Sequence, residues 1–125
     1  MPSTRQRGNH WERAAEALLR GHGLQALTRN FSSRFGELDL VMLDGPVLVF
    51  VEVRYRHADR FGSGADTVDR AKQRKLASAA GHYLALHAEH RCRPCRFDVV
   101  SIGGGAGDDP GGARLNWIKD AFDAN

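Results

Sequence analysis

Apolar and polar residues alternate with different periods along the chain, and each change of period marks an element. From His10 to Arg20, apolar positions Trp11, Ala14, Ala15, Leu18 and Leu19 recur at three- and four-residue spacing. That spacing predicts a helix with one buried face, capped by Asn9 and ended by Gly21-His22-Gly23. Leu24 to Phe31 mixes the two classes as a short strand does, and Ser32 to Gly36 reads as a connection. Two strongly apolar runs follow, Glu37 to Leu43 and Val47 to Tyr55, joined by the hairpin signal Asp44-Gly45-Pro46. Thr67 or Asp66 can cap a long helix from Val68 to His87, whose apolar positions lie mainly on one face. Arg96 to Ile102 reads as a fourth strand, and a last element near Leu115 to Phe122 offers Trp117 and Phe122 to the core. The order predicts an α/β domain with a mixed central sheet of four or five strands flanked by helices.

At 125 residues and 42% hydrophobic content the chain fits one domain over residues 9–125, with residues 1–8 as a flexible N-terminus. Six Gly fall between Gly103 and Gly112, which predicts a mobile loop over 103–113. No apolar run approaches the ~20 residues of a membrane-spanning helix, and the basic start of the chain lacks the apolar core of a secretory signal. These features predict a cytoplasmic protein with no membrane partner. Two cysteines are too few for a disulfide scaffold.

The net charge of +3 is unevenly placed. Arg54 to Arg96 holds ten Lys/Arg against four Asp/Glu, whereas the rest of the chain is net acidic. Fifteen of the eighteen cations are Arg, whose planar fork suits phosphate oxygens and stacks on bases. Arg54, Arg56, Arg60, Arg70, Lys72, Arg74 and Lys75 cluster where the third strand leads into the long helix, as a phosphate-backbone contact would require. A solvated helix face accounts for the same charges. Neither a helix-turn-helix, nor zinc-finger spacing, nor an aromatic stacking platform is evident, so selectivity for nucleic-acid shape is expected over sequence reading.

The carboxylates on the two apolar strands stand out. Strand alternation puts Glu37, Asp39, Val41 and Leu43 on one side, and Leu48, Phe50, Glu52 and Arg54 on one side of the next strand. With Asp44-Gly45 as a two-residue turn, Glu37 faces Glu52 and Asp39 faces Phe50, which makes Asp39 and Glu52 diagonal neighbours about 7–8 Å apart. A one-residue slip of the pairing would send them to opposite faces. Glu52 lies inside Val47-Leu48-Val49-Phe50-Val51-Glu52-Val53, where a buried carboxylate must be protonated, paired or metal-bound. Oxygen ligands so placed suit Mg²⁺ or Mn²⁺; an ion pair from Glu52 to Arg54 or Arg34 is the plainer alternative.

Gly36-Glu37-Leu38-Asp39-Leu40, followed by Val49-Phe50-Val51-Glu52-Val53-Arg54 and Arg56, resembles the YraN-like family of uncharacterised bacterial proteins. That family is in turn similar to the PD-(D/E)XK, or restriction-endonuclease-like, nucleases, which include Holliday-junction resolvases. The resemblance runs from Trp11 to Phe122 through Arg29-Asn30, Val68, Lys72-Gln73, Arg96-Phe97-Asp98-Val99-Val100 and Asp120-Ala121-Phe122. It implies a restriction-endonuclease-like fold in which Asp39 and Glu52 hold a divalent metal. It further implies that Glu12 on the first helix and Gln73 on the long helix face the same site, although a first-turn acid favoured by the helix dipole and a solvated helix-face Gln account for the same residues. Glu37 shares the Asp39 face by strand alternation and is expected to support the site without being a ligand. Where the signature has Lys this chain has Arg54, which stays protonated and so cannot serve as a general base. Arg54 can still stabilise phosphate charge, and more of the reaction then rests on the metal.

The expected function is therefore a metal-dependent, structure-selective endonuclease acting on branched or single-stranded DNA, with a homodimer as a plausible form for a branched substrate. The alternatives are a nucleic-acid-binding protein of the same fold in which Arg54 has ended catalysis, and an interaction module in which Glu52 is only ion-paired. His87, His90, Cys92 and Cys95 supply four potential zinc ligands within nine residues, too compressed to be convincing, and Cys95 is expected to be half-buried. His57 lies just past Arg56 and is expected to be solvated.

Overall fold

The computed structural model describes residues 4–56, 68–103 and 114–123. In chain order the elements are helix α1 (Thr4–Gly21), strands β1 (Gln25–Ser33), β2 (Gly36–Asp44) and β3 (Val47–Arg56), helix α2 (Arg70–Leu86), strand β4 (Cys95–Gly103) and strand β5 (Arg114–Phe122). A single 3₁₀ turn, Ala88–His90, follows α2. The strands form one sheet in sequence order. All neighbours are antiparallel except β3 and β4, which are parallel and joined through α2. The α/β domain with a five-stranded mixed sheet and two flanking helices is the one expected, and the last element is its fifth strand.

Each sheet face carries its own apolar layer. Leu48 and Phe50 of β3, with Phe97 and Val99 of β4, pack under Leu76, Ala79, Ala80 and Tyr83 of α2. On the opposite face, Val49, Val51, Val100 and Ile102 pack against Trp11, Ala15 and Leu19 of α1. β3 and β4 are therefore covered on both sides, which explains why their sequences read as nearly continuous apolar runs. Trp117 packs with the α1 layer and Phe122 with the α2 layer. No helix among the described residues is long and apolar enough to cross a membrane.

Several boundaries differ from expectation. Helix α1 begins at Thr4, so Asn9 lies inside it rather than at its start. The cap of α2 is Asp69, whose carboxylate accepts the Lys72 N–H at 2.8 Å, rather than Thr67 or Asp66. The β2–β3 turn consists of Gly45 and Pro46, with Asp44 paired to Val47. Gly45 has φ of +58°, which only the first central position of such a turn requires, and that pulls Asp44 into the strand. Loop 104–113, with His57, Arg60, Asp66 and Thr67, lies outside the described residues.

The fully buried Asp98 is a structural anchor. Its carboxylate accepts both Arg96 N–H groups (2.9 and 3.2 Å), the Trp117 indole N–H (2.9 Å) and the Asp120 backbone N–H (2.9 Å). The last bond fills a break in the β4–β5 ladder between Phe97 and Val99, opposite Asp120 at φ +54°. Asp98→Ala would leave two N–H groups without their acceptor and a mostly buried guanidinium with Asp44, at 2.9 Å, as its remaining carboxylate partner. Such a loss costs about 3–5 kcal/mol, to be measured as a fall in urea-unfolding stability at unchanged m-value; a change below about 1 kcal/mol would contradict this role.

Candidate functional site

The site forms where the β2–β3 ladder runs out. The regular register ends at Leu40 opposite Val51, and its continuation puts Asp39 directly opposite Glu52. This corrects the expected register, in which Glu37 faced Glu52. Moving the turn one residue along the chain adds Asp44 to β2 and takes Pro46 from β3, which shifts the pairing by two in all, so face parity survives and the two carboxylates still converge.

Strict alternation fails at Asp39 itself. Leu38 and Val41 both pack in the α2 layer, whereas Leu40 between them packs in the α1 layer. On β1, Phe31 packs on the α2 side and Thr28 bonds Tyr83 there, while Arg29 reaches Glu16 of α1. Both strands therefore change phase between the pairs Arg29–Leu40 and Phe31–Leu38, where Asn30 adopts φ of +54°. The slip frees the Asp39 carboxylate to accept the Val53 N–H at 2.8 Å, a donor that a regular ladder would turn toward Leu38. Asp39 thus sits between Glu12, coming from α1, and Glu52, whose face packs under α2.

Glu12 is aimed by its neighbour. Trp11 is buried and stacks on Tyr55 of β3 at 4.6 Å, which seats this turn of α1 over the strand end. One turn later the buried Glu16 holds the Arg29 fork, with one bond at 2.7 Å. The Glu12 carboxyl is pushed up from 4.5 to about 7, first by burial and then by Asp39, while a hydrogen bond to Asn30 opposes the rise. Its Oε1 is buried with no hydrogen-bond partner. Glu52, 9% exposed, is pushed up to about 8 by burial and by Asp39, with the Lys72 ammonium pulling the other way. Lys72 Nζ lies 3.4 Å from Glu52 Oε2.

The other expected residues separate into two groups. Arg54 is half-buried and shares the Glu52 face by strand alternation. Gln73 donates its amide N–H to the Val68 carbonyl at 2.6 Å, so that donor is spent on anchoring the start of α2. Glu37 is exposed and accepts from Ser32 at 3.3 Å; it contributes only the smallest push on Glu12. Arg70, Arg74 and Lys75 are exposed on α2, whereas Arg60 and the Arg56 side chain fall outside the description. Lys72, expected only among the phosphate contacts, enters the carboxylate cluster itself. Its signal was topological: the N-terminus of a helix between parallel strands lies near the carboxyl end of the preceding strand.

The His-Cys segment is not gathered into a centre. The His87 ring stacks on Tyr83 at 4.0 Å with its Nδ1 2.8 Å from the Tyr83 carbonyl, and His90 Nδ1 accepts from Arg93 at 3.1 Å. Both thiols are free and exposed, Cys95 included, because its strand begins at the sheet margin.

An α/β sheet with Glu12, Asp39 and Glu52 converging at one strand end is consistent with a restriction-endonuclease-like fold. The chain belongs to the Uncharacterised protein family UPF0102, whose family model matches residues 11–102. It is 53% identical to a UPF0102 protein of Xanthomonas euvesicatoria pv. vesicatoria, over the whole of this chain and 98% of the relative. A UPF0102 protein of Nitrosospira multiformis is 47% identical over 97% of this chain and 96% of its own length. One of Stutzerimonas stutzeri is 50% identical over 90% and 93%, respectively.

Proposed function

We propose that this protein is a metal-dependent endonuclease that hydrolyses phosphodiester bonds in DNA of branched or partly single-stranded shape. The observation that carries this reading is the carboxylate cluster: Glu12 and Glu52 are driven toward neutrality by burial and by Asp39, and Glu12 keeps a buried oxygen with no partner. A protein gains nothing in stability from such crowding, but a cation relieves it.

The donor set fits Mg²⁺ or Mn²⁺ held by Asp39 and Glu52, with Glu12 beside them. Among the described residues no three ligating side chains close into a cage. Mg²⁺ is commonly bound through one or two carboxylates together with water and substrate phosphate. When bound, the metal supplies an acidified water and neutralises charge on the phosphate. The chain's own groups do the rest. The Val53 N–H fixes the rotamer of Asp39. Lys72 and Arg54 place positive charge on the Glu52 face, where a scissile phosphate would lie, and Arg70, Arg74 and Lys75 extend it along α2 toward the flanking backbone.

Labelled duplex, single-stranded, flap and four-way-junction DNA incubated with Mg²⁺ or Mn²⁺ provides the test. Cleavage of the branched or single-stranded forms, abolished by chelation, is expected. Tight binding without cleavage, persisting when Arg54→Lys restores the signature lysine, would leave a nucleic-acid-binding protein of the same fold.

A further inference from the structure

The tip of the β1–β2 hairpin presents an aromatic ring that the core does not use. Phe35 is 42% exposed, one of two large apolar side chains so exposed among the described residues; the other, Leu86, ends α2. Isolated exposed apolar residues are ordinary, but this one is held in place. The Phe35 N–H donates to Ser33 Oγ at 3.1 Å, and the same hydroxyl donates to the Gly36 carbonyl at 3.1 Å. The Arg34 guanidinium lies over the ring at 5.0 Å, and His82 of α2 meets it edge-on at 5.3 Å. Gly36, at φ +146°, presses the tip onto α2 so closely that a Cβ there would come within 3.2 Å of the Lys75 carbonyl oxygen. The ring is thus held in place, partly presented to solvent and covered on one side by the Arg34 guanidinium.

Its position relates it to the carboxylates. Phe35 is four residues from Asp39 along the hairpin, about 13 Å at strand rise. Lys72, which pairs with Glu52, and His82, which meets Phe35, are ten residues apart on α2, about 15 Å at helical rise. Lys75 lies between them. Lys72 and Lys75 thus lie along α2 between the carboxylates and the helix turn that meets the ring, a span of roughly four nucleotides stacked at ~3.4 Å each.

We infer that the Phe35–Arg34 pair is a stacking station for an unpaired base of the DNA strand whose phosphates follow Lys72 and Lys75 from the carboxylate site. Aromatic faces flanked by cations along a backbone track are the means by which proteins hold single strands, because every base offers a π-face while paired bases keep theirs in the stack. The inference rests on the nucleic-acid reading above and supplies what that reading lacks, a source of preference for unpaired DNA over duplex.

The test is equilibrium binding of labelled oligo(dT) and of a blunt duplex of equal length, in chelator, so that cleavage plays no part. Phe35→Ala is expected to weaken oligo(dT) binding about tenfold and duplex binding less than twofold. Phe35→Leu should behave as Phe35→Ala, and Phe35→Trp as wild type. Equal losses on both DNAs, wild-type affinity in Phe35→Ala, or full rescue by Phe35→Leu would each overturn the stacking station. Circular dichroism and a thermal melt establish that the variants are folded. If wild type binds neither DNA, the nucleic-acid reading falls with it; if wild type binds oligo(dT) and Phe35→Ala binds equally well, only this inference falls.

Discussion

Asp39→Asn is expected to lower metal-dependent DNA cleavage by at least about a thousandfold, or about 4 kcal/mol of transition-state stabilisation, while leaving the protein folded. The two consequences separate because Asp39 does two things. Its carboxylate accepts the Val53 N–H, and an amide oxygen can accept that bond as well. Its negative charge sits between Glu12 and Glu52 and raises both, and the amide lacks that charge. Without it the site offers one anionic ligand fewer to a divalent cation and repels its neighbours less. Metal titration followed by melting temperature should show a clear rise for wild type and little or none for Asp39→Asn. Metal-dependent cleavage at the wild-type rate in Asp39→Asn would place the chemistry elsewhere on the molecule. No metal-induced shift in wild type would favour the interaction-module alternative.

The second large effect is a dependence of stability on pH in the metal-free protein. Glu52 is raised from 4.5 to about 8 and Glu12 from 4.5 to about 7, so the folded state holds protons that the unfolded chain has released. For a group raised in this way, the stabilising contribution is fully present below about pH 4.5 and is lost as pH climbs to its folded value. Stability should therefore fall between about pH 4.5 and 8, by on the order of 3 kcal/mol for Glu52 after allowance for its coupling to Asp39 and Lys72. Glu52→Gln should flatten most of this slope and leave a shallower one that levels off near pH 7, from Glu12. The substitution strands little charge, since Lys72 is half exposed. Denaturant unfolding from pH 5 to 9 in chelator reads the effect directly, and equal slopes in wild type and Glu52→Gln would refute it.

Much of the architecture was legible in the chain. The apolar positions of the two helices recur at helical spacing, and the doubly covered strands β3 and β4 announce themselves as nearly continuous apolar runs. Convergence of Asp39 and Glu52 was also legible, because it requires only the parity of the register. The register itself was not. Whether the turn is Asp44-Gly45 or Gly45-Pro46 depends on which residue takes the positive φ, and both choices are chemically reasonable until the strands pair.

The burial of Glu16 was hidden for a related reason. Among the apolar positions of α1 it reads as a polar interruption, and only the arrival of Arg29 from β1 makes its burial affordable. Asp98 looked like one polar residue in a strand, although four donors from two strands converge on it. Lys72 looked like one cation in a basic helix until the β3–α2 connection set it against Glu52.

The sequence by itself determined which apolar residues of the helices and central strands face inward, the order of helices and strands, and that two acidic groups share one side of a hairpin. These follow from local periodicity, which each segment carries in its own residues. Tertiary structure alone decided the phase slip at Asn30 and Asp39, the approach of Glu12 and Lys72 from opposite helices, and the clamping of Phe35 against α2. Each of these depends on groups distant in sequence meeting in a low-dielectric interior, where the energies of charges and unpaired donors are set by neighbours that no local pattern names.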